Sequence, residues 1–378
     1  MDIKDLRTQI DRIDDEMLRL FLERMEISEK VAEYKHANSL PILNRERERA
    51  ILSEVMEKSG NMDIYAYQLF KMLFELSKAR QSELYAKPSS VKEQITKALD
   101  NAQDAFPKKG SIACQGVEGA NSQAACDKLF PMGNIMYVKT FEAVFDAVSS
   151  GLCKYGIVPI ENSSNGSIRA VYDLLQRKQF SVVRGTNLFI RHELLVKPGT
   201  KLSDIKEIYS HEQAIGQCSK FIASLIGVKI IPCENTAVAA KKVSECDNNY
   251  SAAIASHDCT KLYGLESLKD DIQDSDNNYT RFICIEKNTV IYAGANKISL
   301  IISCDNKPGA LNSILTKLSA YGVNMSKLES CPVTGRNFEF VFFLELDASV
   351  KEDGIIPMLE DLERECQGFT FLGNYSVV

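Results

Sequence analysis

Histidine is scarce in this chain: His36, His192, His211 and His257 lie scattered along 378 residues. The eleven cysteines form no CxxC pair and no Cys/His grouping. These absences exclude a zinc module readable from spacing. An odd number of dispersed thiols fits a reduced, cytoplasmic protein better than a disulfide framework. No metal site and no cofactor is expected. No apolar run approaches the roughly 20 residues that span a bilayer, so no membrane partner is expected. The opening stretch, MDIKDLRTQIDRIDDEM, is charged and lacks the apolar centre of a secretory signal. Positive charge is not in excess either. The 45 Lys and Arg face 51 Asp and Glu, which argues against nucleic acid as a general partner and leaves any anionic ligand to local clusters. What the chain does have is 45% hydrophobic and 25% charged residues, enough for real cores, over a length suited to two or three domains.

Residues 1–86 read as helical. Leu6, Ile10, Ile13, Met17, Leu20, Ile27, Val31 and Tyr34 recur on alternating steps of four and three, a heptad stripe along one long helix. Arg24 fills one position of that stripe, where an unmatched cation is costly unless something anionic meets it. Pro41 precedes a second helix at Arg45–Ser59, and a third is expected at Ile64–Ala86, with Ser77 and Gln81 on one face. Such a bundle suits a small dianion. The segment resembles an all-helical chorismate mutase through Leu6-Arg7, Glu23-Arg24, Lys35, Pro41, Asn44, Arg47-Glu48, Ser77 and Gln81. The resemblance implies that Arg7, Arg24 and Arg47 meet the carboxylates and hydroxyl region of chorismate. It also implies that Lys35 and Gln81 donate to the ether oxygen, Glu48 binds the ring hydroxyl and Ser77 contacts a carboxylate. Asn44 stands where the family usually has Asp. A [3,3] rearrangement needs no nucleophile, only a held conformer and charge stabilised at the breaking C–O bond. Arg7 and Lys35 lie 28 residues apart on one helix, about 42 Å at roughly 1.5 Å per residue. If both serve one site, Arg7 must serve a second subunit, so an intertwined homodimer, or a homotetramer built from it, is expected.

Residues 87–110 read as a linker with a helical middle, and residues 111–285 as repeated short βα units of an α/β fold. The segment GVEGANSQAACDKLF follows a strand, with Gly116 and Gly119 for the turn and Ser122 as cap, but it is not GxGxxG, so a nucleotide fold is rejected. In YGIVPIENSSNGSIRAVYDLL a buried strand at Tyr155–Ile160 runs into the polar loop Glu161–Gly166, and Ser167 is the expected N-cap of the next helix. That geometry aims free backbone N–H groups at an anion. Further strands are expected at Phe180–Gly185, Leu188–Val196, Glu207–Tyr209, Lys229–Pro232, Ala252–Ala255 and Asn277–Ile285, and helices at Phe141–Val148, Ala214–Ile226 and Ala237–Val243. The site should lie where strand ends converge between two lobes, as in periplasmic binding proteins. IENSSNGSIRAVYDLL, YSHEQAIGQCSKF and NYTRF together resemble prephenate dehydratase. The resemblance implies Thr280 as the catalytic hydroxyl, with Glu161, Asn162, Ser210, Gln217 and Arg281 orienting prephenate or polarising its leaving group. His211 reads as structural.

After a linker at 286–296, residues 297–378 show the βαββαβ order of a ferredoxin-like module. Strands are expected at Lys297–Ser303, Asn324–Pro332, Phe338–Leu346 and Phe369–Val377, and helices at Gly309–Tyr321 and Asp353–Glu365, with turns at Asn306–Pro308 and Thr334-Gly335. The module resembles an ACT domain of the phenylalanine-sensing kind, through Gly309-Ala310-Leu311 and Glu329-Ser330-Cys331-Pro332. Cys331 stands where Arg is usual. The resemblance implies L-phenylalanine as effector. The three likenesses in this order imply a bifunctional enzyme of phenylalanine biosynthesis, taking chorismate to prephenate and prephenate to phenylpyruvate. Two alternatives differ from this: a non-catalytic amino-acid sensor, against which the charged helical seam argues, and an arogenate dehydratase fusion.

Overall fold

A computed structural model describes residues 2–38, 40–42, 44–85, 89–164, 166–178, 180–304, 309–332 and 340–378, apart from the side chains of residues 82 and 83. The chain forms two compact units. One holds residues 1–96, 302–328 and 332–370, the other residues 97–301, 329–331 and 371–378. No helix among the described residues is long and apolar enough to cross a membrane.

In the first unit, α1 (Ile3–Ala37) and α2 (Arg45–Ser59) both pack on α3 (Asp63–Tyr85). The face of α1 turned to α3 is polar and small: Arg24, Ser28 and Ala32 follow at four-residue steps, and the last two are buried. The heptad stripe, by contrast, is exposed in the single chain, with Leu6 at 39%, Ile10 at 55%, Met17 at 50% and Ile27 at 52%. Of these two faces of α1, the polar one is covered within the chain and the apolar stripe is not. The segment 87–110 contains α4 (Ser90–Asp100), whose Val91, Ile95 and Ala98 are buried at helical spacing.

The second unit holds two mixed sheets. The elements run β1 (Ser111–Gln115), α5 (Asn121–Leu129), β2 (Asn134–Val138), α6 (Phe141–Ser149), β3 (Tyr155–Asn162), β4 (Gly166–Ser167), α7 (Arg169–Arg177) and β5 (Ser181–Phe189). Then follow β6 (Glu193–Val196), β7 (Glu207–Ser210), α8 (Glu212–Gln217), α9 (Ser219–Ala223), β8 (Lys229–Pro232), α10 (Thr236–Glu245), β9 (Ser251–Ala255), α11 (Asp258–Tyr263), β10 (Glu266–Lys269) and β11 (Tyr279–Glu286). The first sheet has the order β2-β1-β3-β11-β5, with β4 on β3, and the second β10-β6-β9-β7-β8. Because β11 returns to the first sheet, the chain passes between the lobes twice.

Four local expectations are corrected here. Ser167 does not cap a helix; it pairs back on Glu161 as β4, and α7 opens at Arg169 without a side-chain cap. Ser122 lies inside α5, whose N-cap is Ala120. The helix expected over Ala214–Ile226 is two short ones that meet at Cys218. The two strands expected across 180–196 divide later, because β5 continues through Gly185 to Phe189.

The C-terminal module follows the expected order: β12 (Lys297–Ser303), α12 (Ala310–Ala320), β13 (Asn324–Pro332), β14 (Phe340–Asp347), α13 (Ile355–Glu365) and β15 (Gly368–Tyr375), in a sheet ordered β13-β14-β12-β15. Pro357 falls at the third position of α13, where its missing N–H has no intrahelical partner to lose. The turns expected at Asn306–Pro308 and Thr334-Gly335 lie outside the described residues.

Candidate active sites

The helical unit encloses a pocket of about 300 Å³ between α1, α2 and α3. Arg24, Lys35, Asn44, Arg47, Glu48, Ser77 and Gln81 line it, as the resemblance implied. Arg24 donates to Ser77 Oγ and to Leu73 O, and its guanidinium lies 5.7 Å from the Phe74 ring centroid. Among the described residues no carboxylate lies within ion-pair distance of Arg24. Burial lowers its pKa, as for a cation held by neutral acceptors. Lys35 Nζ donates to Ile42 O at 2.5 Å. Burial pulls this ammonium down while the charge of Glu48 pulls the other way. Gln81 Nε2 donates to Ser28 Oγ at 2.8 Å. Asn44 Oδ1 accepts from Arg47 N–H at 3.0 Å and so caps α2, a task Asp or Asn performs equally. Arg7 does not line this pocket; it sits near the far end of α1 and is exposed. Lys78, which sequence reasoning passed over, does line it and lies 3.5 Å from Glu48. A lysine beside Ser77 carries no periodic signal that separates it from a solvated one.

The second unit holds a cavity of about 520 Å³ between its two lobes. The cavity collects helix starts: Ala120–Ser122 of α5, Phe141 of α6, Ile168 before α7, His211 before α8, and Asn235-Thr236 at α10. Among the described residues no Lys or Arg lines it. What its lining offers an anion is therefore helix N-termini and amide donors rather than ammonium or guanidinium groups. Gly116 and Gly119, at φ +117° and +87°, turn the chain from β1 into α5, and a Cβ at Gly119 would meet Leu262 at 3.0 Å.

Asn162, Gln217 and Thr280 line the cavity and belong to one hydrogen-bond network. Asn162 Nδ2 donates to Thr280 Oγ1 at 2.9 Å and to Asn278 Oδ1 at 3.0 Å, while its own Oδ1 accepts from Ser164 N–H. Asn278 Nδ2 donates to Gln217 Oε1 at 3.0 Å, and His192 Nε2 approaches the same oxygen at 2.8 Å. With that oxygen engaged twice, the Gln217 NH₂ group is left to face the cavity. Thr280 likewise accepts from Asn162 and keeps its O–H for a ligand. Burial lowers the pKa of His192, opposed by the Gln217 contact, so the ring is neutral at pH 7 and Nε2 carries the proton it donates. The network thus ends in donors, which suits a ligand rich in oxygen acceptors. His192, Asn278 and the cavity carboxylate Glu234 were not found from the sequence. Asn278 stands two residues before Thr280 and was open to notice.

Glu161, Ser210 and Arg281 do not line the cavity. On paired strands, successive residues face opposite sides. Thr280 pairs with Asn162 and Arg281 with Glu161, and a bulge beyond them brings Phe282 opposite Pro159, so Phe282 and Pro159 line the cavity too. Arg281 and Glu161 occupy the other face, where Arg281 donates to Tyr375 Oη at 3.1 Å. Ser210 is fully buried and donates to Ile254 O at 2.7 Å, inside the second lobe. His211, which also lines the cavity, caps α8, its Nδ1 accepting from Gln213 N–H at 3.3 Å. In the C-terminal module, Gly309 has φ +84° and directly precedes Ala310 and Leu311 at the start of α12. Ser330 is exposed on β13, Cys331 is buried, and Glu329 accepts from Ser167 Oγ at 2.7 Å.

A cation-lined helical pocket, a donor-lined cavity between two α/β lobes and a ferredoxin-like module define a multidomain enzyme of small anionic substrates. Family models match in the same order: Chorismate mutase type II over residues 6–82, Prephenate dehydratase over 112–290 and ACT domain over 298–363. The chain is 32% identical to a bifunctional chorismate mutase/prephenate dehydratase of Enterobacter agglomerans, across 98% of this chain and 95% of that one. It is also 32% identical to an arogenate dehydratase/prephenate dehydratase of Arabidopsis thaliana, across 81% and 80%. A prephenate dehydratase from Arthrobacter aurescens, solved in complex with L-Phe, superposes with TM-score 0.65 at 28% identity, across 70% of this chain and 89% of that one. The chain belongs to the bifunctional chorismate mutase/prephenate dehydratase family, and it carries both activities, isomerase and lyase, on one polypeptide.

Proposed function

We propose that the helical pocket rearranges chorismate and that the two-lobed cavity takes the resulting prephenate to phenylpyruvate, with the following roles. In the pocket, Arg24 and Arg47 hold carboxylates with Ser77, Lys35 and Gln81 donate to the ether oxygen as its bond breaks, and Glu48 accepts from the ring hydroxyl. Asn44 meets the hydroxyl region while capping α2. Arg7 completes the site of a second copy, which also covers the exposed stripe of α1. In the cavity, the helix starts hold the carboxylates. The Thr280 O–H donates to the departing hydroxyl, and Gln217 and Asn162 fix the substrate around it. Loss of CO₂ from the ring supplies the electron pair that expels hydroxide, and aromatisation drives the step. Glu161, Ser210 and Arg281 then act by supporting the strands that carry these groups.

The observation that carries the dehydratase reading is the direction of the network, which leaves the Thr280 hydroxyl proton free at the cavity. For the C-terminal module, L-phenylalanine is the proposed effector, bound near Gly309, Ala310, Leu311, Glu329 and Ser330. The complex of the Arthrobacter relative with L-Phe supports this. The setting is proposed to be cytoplasmic, and the assembly a homodimer or homotetramer. A coupled assay from chorismate to phenylpyruvate, with and without L-phenylalanine, tests the whole. Phenylpyruvate should form and the effector should slow it. Failure to form phenylpyruvate from added prephenate defeats the cavity assignment, and faster turnover of arogenate makes that the natural substrate.

A further inference from the structure

We propose that Lys78 is a positioning residue of the mutase site, which holds the Glu48 carboxylate where it can accept from the substrate hydroxyl. The inference rests on the mutase reading of the helical pocket. Lys78 follows Ser77 on α3 and lines the same pocket. Its Nζ lies 2.8 Å from Glu75 Oε1 and 3.5 Å from Glu48 Oε1. Among the described residues it is the one ion-pair partner of Glu48.

The surroundings on every packed element set the charge balance. From α1, Lys35 faces Glu48. On α2, Arg47 lines the pocket beside Glu48, and on α3 Glu75 is buried against Lys78. From α13, Glu365 faces Lys78, and is itself held by Lys317 Nζ at 3.0 Å and by Ser313 Oγ at 2.6 Å. Burial pulls the Lys78 ammonium down, but Glu75, Glu48 and Glu365 outweigh it and keep it charged. Three carboxylates thus surround one cation, and only Glu48 lines the ligand pocket. Glu75 anchors Lys78 from the shorter distance, leaving the longer contact to Glu48 as the adjustable one. A carboxylate must be fixed in place to accept a hydrogen bond from the substrate hydroxyl in the compact conformer of the rearrangement, and Lys78 holds it there.

The test is steady-state mutase kinetics of the full chain. Lys78→Met should lower mutase kcat/KM by up to about a hundredfold, the scale for a misplacement of about 1 Å. Lys78→Arg, which keeps a cation beside Glu48, should restore kcat/KM, and dehydratase turnover of each variant should equal that of the parent chain. If Lys78→Met fails to fold because Glu75 is left buried without its partner, Glu75→Gln/Lys78→Met removes that charge and should show the same loss. An active parent chain with unchanged kcat/KM in the Lys78→Met variant overturns the proposal alone. An equal loss in Lys78→Arg also overturns it. A parent chain inactive on chorismate overturns the mutase reading and this proposal with it.

Discussion

The two sites meet anionic substrates with opposite equipment. The helical pocket brings Arg24, Lys35, Arg47 and Lys78 around about 300 Å³, whereas the cavity of about 520 Å³ between the lobes has no Lys or Arg among the described residues of its lining. Helix starts, Asn162, Gln217 and Thr280 replace them. The chemistry of the two steps explains the contrast. A rearrangement passes through a compact, charge-separated transition state without losing a group, so in the proposed roles fixed cations face the ether oxygen throughout. An elimination must release hydroxide and CO₂. Neutral donors stabilise the leaving oxygen without trapping it as an ion pair, and dipoles lose little strength when the substrate becomes less charged.

Three experiments would break or sharpen that contrast. The largest effect belongs to Thr280→Ala, which should lower dehydratase kcat roughly a thousandfold, the scale for losing a donor aimed at developing charge. Mutase kinetics should be untouched. Substantial dehydratase turnover in that variant would mean that the cavity works without its hydroxyl.

Next in size is complementation across the dimer. Arg7→Ala and Lys35→Ala chains should each be nearly inactive as mutases. An equal mixture, after exchange of subunits, should recover about one quarter of parental activity, since half the dimers are mixed and each has one intact site under two-fold symmetry. No recovery would place both residues' roles within one chain or outside the site.

The smallest effect is on stability. The His192 pKa is lowered in the folded chain by burial, while the unfolded side chain takes a proton near about 6.5. Below that pH the unfolded state binds the extra proton, so this contribution to stability is complete above about 6.5 and shrinks as pH falls toward the folded value. Thermal unfolding of the parent should therefore weaken between pH 7 and 5 more than that of His192→Gln. Equal slopes would mean that the ring is not held neutral.

Much of the architecture was legible because periodicity reports burial. α2 begins and ends where expected, and the module from β12 to β15 follows its predicted order. Where periodicity was ambiguous, the boundaries moved. Ser167 has the composition of a cap, but the pairing of Gly166-Ser167 on β3 competes successfully for the same backbone. The stripe on α1 is exposed in the single chain, and no sequence pattern says whether a cover for it lies in the same chain. The site residues divide by strand parity: Asn162 and Thr280 face the cavity, while Glu161 and Arg281 sit on the back. Parity alone does not assign the cavity face, because a bulge at Ile160, opposite the Arg281–Phe282 step, shifts the alternation on β3 and becomes visible only in the pairing. His192 escaped notice because a lone histidine carries no spacing, and its importance comes from Gln217 meeting it across the lobe.

The back face of β11 has a mechanical consequence. Thr280 and Arg281 share one peptide unit, and Arg281 is tied to Tyr375, whose hydroxyl lies 2.8 Å from Ser299 Oγ at the base of the C-terminal sheet. On the neighbouring strand, Asn162 faces the cavity, while Ser167 at the end of the adjoining loop is tied to Glu329. The strands that carry Asn162 and Thr280 are therefore tied, through Ser167 and Arg281, to Glu329 and Tyr375 of the C-terminal sheet.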